Sequence, residues 1–155
     1  MNTIFGLPSH PLFVHAPIVL MPLLFLLALV LAVRPSWRLQ AGWTLVAGAA
    51  ITVVTTLAAK LSGESLEEQF AQDMGRHETL GNWTLIMTFV LLIASAALWF
   101  NDRRRWEGEG GSTSTLMLVV LLVAAAATTL MVLTGHAGAA CSWGGASCDL
   151  VPIPQ

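Results

Sequence analysis

The 155 residues are 55% hydrophobic and 10% charged, with a mean hydropathy of +0.73. Soluble domains carry about a quarter charged residues, so an ordinary soluble globule is excluded. A formal net charge of −2 gives nothing in favour of nucleic-acid binding.

Residues 1–9 contain no lysine or arginine, and no small-residue cleavage site follows the first apolar run. That run is therefore expected to stay in the chain and not to act as a removable signal. It extends over residues 12–33, long enough to cross a bilayer core. Pro17 and Pro22 should make its first half irregular or kinked, because each removes a backbone donor. Arg34-Pro35-Ser36-Trp37-Arg38 closes the first span and opens the second.

The second span covers residues 39–61. Gly48, Thr52, Thr55 and Ala59 share one helical face, a pattern that permits close helix approach in lipid. Residues 62–79 are the longest polar segment. Ser65 and Glu68 have capping-box spacing, while Leu66, Phe70 and Met74 recur every four residues. This predicts a short amphipathic helix on the membrane surface, ended by Gly75, with Glu64, Glu67, Glu68 and Asp73 facing water.

The third span covers residues 77–100. His77, Gly81, Thr84, Thr88 and Ser95 form a small or polar stripe that should face neighbouring helices, while Leu85, Ile86, Phe89, Val90 and Ile93 cover the remainder. Residues 107–114 read as a Gly/Ser-rich loop. The fourth span covers residues 115–135, with His136 at its end and a tail over residues 136–155. No connecting segment is long enough to bury a core of its own, so residues 1–155 are expected to form a single membrane domain. The fold class is all-α, an integral membrane four-helix bundle.

Arg34, Arg38, Arg103, Arg104 and Arg105 flank one end of the spans, against Lys60 and Arg76 at the other. The positive-inside rule then puts both termini outside, in the periplasm or extracellular space, for a multi-pass protein of a bacterial inner membrane. On this topology His10, His15, His77 and His136 all reach the outer side. No Asp, Glu, Arg or His lies in the middle of a span, which argues against a pump, channel or secondary transporter. A two-haem wire across the membrane is disfavoured for the same reason, since no histidine sits near the inner face.

Imidazole is the commonest metal ligand and the usual axial ligand of b-type haem. Sites in helical bundles are built from facing helices. Here the first helix offers His10 and His15, the third His77 and the fourth His136. Five residues apart, His10 and His15 would diverge by about 140° on a regular helix. Pro11 disfavours helix at His10, which leaves that ring able to turn inward. Glu64, Asp73 or Glu78 could fix a histidine tautomer. The plainer reading of each histidine is an interfacial residue or a cap, and that of the glycine and threonine stripes is a packing seam. Cys141 and Cys148, on an oxidising side, read as a disulfide closing a short loop. No Ser-His-Asp order, His-Glu-x-x-His helix, Cys-x-x-Cys-His or phosphate loop is present, so no catalytic residue is assigned.

The opening Gly6…His10-Pro11-x-x-Val14-His15-x-Pro17-Ile18, the His77 that opens the third span, and Thr134-Gly135-His136-Ala137-Gly138 before Trp143 carry a family resemblance. They resemble the bacterial four-helix membrane domains catalogued as domain of unknown function 2231, over nearly the whole chain. Some members of that family are fused to Rieske or cytochrome c domains, so the resemblance implies an electron-transfer setting and a haem, with His10, His77 and His136 as the carried-over positions. The position of His15 is Asp in some relatives, which implies a metal ligand or hydrogen-bond partner there. This chain has no redox domain of its own, so a partner protein of Rieske or cytochrome c type is implied.

Three functions remain open from the sequence. The first is an accessory electron carrier binding one haem b near the outer face through two of His10, His77 and His136. The second is a Cu or Zn site made by three or four of the histidines. The third is a ligand-free structural subunit of a larger membrane complex. Lipid is a partner in each, and the oligomeric state is left open, a homo-oligomer included.

Overall fold

The structure, a computed structural model, describes residues 3–4, 7–70, 75–108 and 114–143. Two short strands, β1 (Thr3–Ile4) and β2 (Leu7–Pro8), pair antiparallel before the first helix. Four helices follow: α1 (Ser9–Val33), α2 (Arg38–Phe70), α3 (Gly75–Trp106) and α4 (Ser114–Trp143). Each contains a run long and apolar enough to cross a membrane.

Local chemistry explains most of the helix ends. Pro11 falls in the first turn of α1, where its missing N–H would have had no helical partner. His10 therefore belongs to the helix and does not precede it, contrary to the expectation drawn from Pro11. The helix continues through Pro17 and Pro22. At its other end Arg34 precedes a proline, which disfavours the α region, and adopts φ −123°, ψ 73°. A single 3₁₀ turn, Pro35–Trp37, then leads into α2. Beyond the end of α3, Gly108 sits at φ +89° with its amide donating to the Arg105 carbonyl at 3.1 Å. Glycine adopts that left-handed conformation without steric penalty.

Two boundaries differ from expectation. The polar segment after Leu61 does not form a separate surface helix up to Phe70; it prolongs α2 without a break. Nothing between Leu61 and Leu66 interrupts the backbone, and two local links cross the junction. Lys60 pairs with Glu64 one turn on, and the Ser62 hydroxyl donates to the Ala59 carbonyl at 2.8 Å. Similarly, α4 runs on to Trp143, because the alanines after His136 favour helix strongly enough to carry it past Gly135 and Gly138. His136 consequently lies inside α4.

The helices pack in a ring, with α1 against α2 and α4, and α3 against the same two. Met21, Leu24, Leu31, Leu45, Leu91, Leu98 and Val120 interlock with small Ala28, Ala49, Ala124 and Ala127 at the centre. Close approach depends on small residues: a Cβ on Gly48 would fall 2.6 Å from a Leu24 methyl. The Thr84, Thr88 and Ser95 stripe is buried. Ile86, Phe89, Val90 and Ile93 face outward, Ile93 67% exposed, as a lipid-facing surface requires.

The burial pattern repeats. Pro17, Met21, Leu24, Ala28 and Leu31 of α1 recur in α3 as Thr84, Thr88, Leu91, Ser95 and Leu98, a constant spacing of 67 (17 to 84, 31 to 98). Leu45, Ala49 and Thr52 of α2 recur in α4 as Val120, Ala124 and Ala127, a constant spacing of 75 (45 to 120, 52 to 127). The α1–α2 and α3–α4 hairpins thus present matching registers to a common centre. At the arginine-rich end, Arg38 of α2 reaches Asp102 of α3, Nε to Oδ2 3.5 Å, with both side chains largely buried.

Candidate functional site

The same registers bring His10 and His77 together at the opposite end. Each ring is half-buried, and their centroids stand 6.3 Å apart with planes at 85°. His10 Nδ1–H donates to the Ala59 carbonyl at 2.9 Å, with Ser62 Oγ at 3.2 Å. His77 Nδ1–H donates to the Thr134 carbonyl, also at 2.9 Å. A carbonyl can only accept, so the proton sits on Nδ1 in both rings, and Nε2 keeps the lone pair. No described residue engages either Nε2.

The two histidine anchors are equivalent. Ala59 and Thr134 occupy matching positions of α2 and α4, and a glycine follows one turn later in each, Gly63 and Gly138. A Cβ on Gly63 would meet His10 Cε1 at 3.0 Å, and one on Gly138 would meet His77 Cε1 at 2.9 Å. Each imidazole therefore lies directly against a glycine backbone.

The rings open onto a cavity of about 100 Å³. Pro17, Thr56, Thr84 and Met131, all buried, line it deeper in the bundle. Val14, Ile18 and Gly81 form much of the wall, and Lys60, Glu64, Glu78 and Asn82 stand nearer water. The Thr84 and Thr134 hydroxyls stand 3.0 Å apart and each lies 2.8 Å from a carbonyl of its own helix, Leu80 and Leu130, so two protons are shared among three contacts. Thr56 behaves differently. Its hydroxyl is buried, lines the cavity and has no hydrogen-bond partner among the described residues. A buried hydroxyl without a partner is costly and needs a reason.

Burial is the main influence that lowers the His10 pKa from its usual 6.5, and the nearby His77 acts in the same direction. The Ala59 carbonyl opposes them by favouring the protonated ring. His10 is accordingly neutral at neutral pH, the form that can offer Nε2 to a metal.

Of the four histidines singled out from the sequence, the fold joins His10 and His77. His15 points to the exposed side of α1, as the five-residue offset from His10 requires, and His136 is exposed on α4. Neither lines the cavity. Among the described residues, no three His, Cys, Asp or Glu side chains stand together as a metal site. Of the carboxylates considered as tautomer-fixing partners, Glu64 pairs with Lys60 and Glu78 is exposed; Asp73 lies outside the described residues. Backbone carbonyls do that work instead. The Cys141–Cys148 pairing also lies outside what is described, since Cys148 falls beyond residue 143. Sequence reasoning missed Ala59, Ser62, Gly63 and Thr56, which carry no functional signal in their spacing.

A family model described as "Predicted membrane protein (DUF2231)" matches residues 6–146. No curated protein and no solved structure matches the chain.

Proposed function

Because the chain belongs to the DUF2231 family of predicted membrane proteins, whose description assigns no activity, we propose a function from the site itself: binding of one b-type haem between His10 and His77, as an accessory electron carrier. The observation that carries this reading is the matched pair of imidazoles, each fixed through Nδ1–H and each keeping Nε2 for a ligand. A haem that only carries electrons can take two side-chain ligands, and the cavity offers two histidines. The two ring centroids stand 6.3 Å apart, so one group held between them would meet both imidazoles. A bare copper or zinc ion held by three or four histidines has less support, because His15 and His136 lie outside the cavity.

Bound there, the haem would supply reversible one-electron exchange. The chain's own residues do the rest. The Ala59 and Thr134 carbonyls hold the tautomer and make each Nε2 more basic. Val14, Pro17, Ile18 and Met131 keep water from the deeper cavity. On the positive-inside topology the site lies near the outer face, within reach of a soluble or membrane-anchored redox partner of Rieske or cytochrome c type.

The deciding test is the absorption spectrum of gently purified protein, oxidised and then reduced, beside elemental analysis. A Soret band with sharp reduced α and β bands that disappears in His10→Ala and His77→Ala is expected. A colourless protein with stoichiometric zinc or copper would replace haem by a metal, and one with neither would favour the structural-subunit reading.

A further inference from the structure

We propose that Gly63 and Gly138 are positioning residues that hold the His10 and His77 rings nearly perpendicular, so that a haem bound between them carries crossed axial imidazoles. The inference rests on the haem reading above and adds the electronic state of the site.

Each ring is held by a carbonyl and a glycine from one turn of one helix, and His10 has Ser62 Oγ at 3.2 Å from Nδ1 as well. For His10 these are the Ala59 carbonyl, which accepts from Nδ1 at 2.9 Å, and the bare backbone of Gly63. For His77 they are the Thr134 carbonyl at 2.9 Å and Gly138. A methyl on Gly63 would stand 3.0 Å from Cε1 and 3.2 Å from Nδ1 of His10. On Gly138 it would stand 2.9 Å and 3.0 Å from the same atoms of His77. The ring cannot retreat while its Nδ1–H bond draws it toward that same turn. Glycine is therefore what lets each imidazole lie flat enough to keep the bond, and the pair of contacts fixes rotation about the ring's own axis. One ring is referred to α2 and the other to α4, and the resulting angle between planes is 85°.

That angle has an electronic consequence. Parallel imidazoles donate into the same iron d orbital and split it from its partner. Crossed imidazoles donate into both and leave them nearly equal in energy. Ferric low-spin haem then gives one strongly anisotropic low-field line in electron paramagnetic resonance, in place of three resolved features.

The experiment loads the full chain with iron protoporphyrin IX and records absorption and paramagnetic resonance on the same ferric sample. The expected wild-type result is a six-coordinate low-spin absorption spectrum with the single low-field line. Gly63→Ala and Gly138→Ala should each keep that absorption spectrum while the line moves toward a resolved three-feature pattern. A three-feature wild-type spectrum, or a line unmoved by both substitutions, overturns the proposal while the haem reading stands. If the glycine variants do not fold, the wild-type line shape decides. Failure of the protein to retain iron protoporphyrin IX through gel filtration overturns the haem reading and this proposal with it.

Discussion

His10 and His77 stand nearly perpendicular, planes at 85° and ring centroids 6.3 Å apart, although they belong to different helices of different hairpins. Their partners match as well: the carbonyl that anchors His10 is Ala59, and the one that anchors His77 is Thr134, at corresponding positions of α2 and α4. A ligand bridging the two rings would be held by equivalent atoms from both halves of the bundle.

Removing either ring should therefore be equally damaging. His10→Ala and His77→Ala are expected to reduce haem content to a small fraction of wild type, while His15→Ala and His136→Ala retain it. Ser62→Ala, which withdraws a hydroxyl near His10 Nδ1, is expected to weaken haem affinity about 10-fold, the lower end for a residue that orients a ligand. Pyridine haemochrome assays on the five variants would check this. Full haem in His77→Ala would remove that ring from the site.

Thr56 yields a prediction of the opposite sign for the ligand-free protein. Its buried hydroxyl has no partner among the described residues, whereas Thr52 and Thr128 each donate to a backbone carbonyl of their own helix. Thr56→Val keeps the shape and removes the unpaired group, so ligand-free stability should rise by about 1 kcal/mol. If the hydroxyl serves the bound ligand, the same substitution should weaken ligand affinity. Paired denaturation and haem-titration curves would show both effects, and a destabilised ligand-free variant would mean that the hydroxyl is satisfied after all.

The architecture was largely legible in the chain, and the site only partly. Four apolar runs, the inward Thr84–Ser95 stripe and the arginine-rich end follow from composition and period, because lipid imposes both. The histidines could be named, but which of them converge depends on rotation of each helix about its axis. His136 lies two residues from both Thr134 and Gly138 on α4, about 200° round the helix from each, and so faces away from the cavity; the first-turn position of Pro11 carried His10 into α1. Ala59, Gly63 and Gly138 matter through a backbone carbonyl or the absence of a Cβ, neither of which has a sequence signature inside a small-residue helix. The Thr134-Gly135-His136-Ala137-Gly138 motif contributes through its first and last residues, and its histidine stays outside the cavity.

Acid should destabilise the ligand-free protein through His10. Burial lowers its pKa in the folded state below the usual 6.5, so the unfolded chain takes up the proton first as pH falls. The contribution is fully present above about pH 6.5 and is lost progressively as pH drops from there toward the folded-state pKa. Denaturation midpoints measured from pH 7.5 down to pH 5 should fall, and His10→Gln should flatten that part of the profile. An identical slope in the variant would assign the acid sensitivity elsewhere.

The Arg38–Asp102 pair tests what joins the two hairpins at the arginine-rich end. Its atoms are 3.5 Å apart and Asp102 is only 8% exposed, so the carboxylate has little water to fall back on. Asp102→Ala removes the charge facing a mostly buried guanidinium, a loss of about 3 kcal/mol when one member of a buried pair is deleted. Arg104→Ala, at an exposed position two residues on, should shift stability by no more than about 0.5 kcal/mol. The double variant Arg38→Ala with Asp102→Ala should lose less than the two single losses added together, because the two side chains share one interaction. Unfolding in mixed micelles, read by tryptophan fluorescence, would report all four proteins. Additive losses would mean that Arg38 and Asp102 act independently and that apolar packing between α2 and α3 holds this end of the bundle.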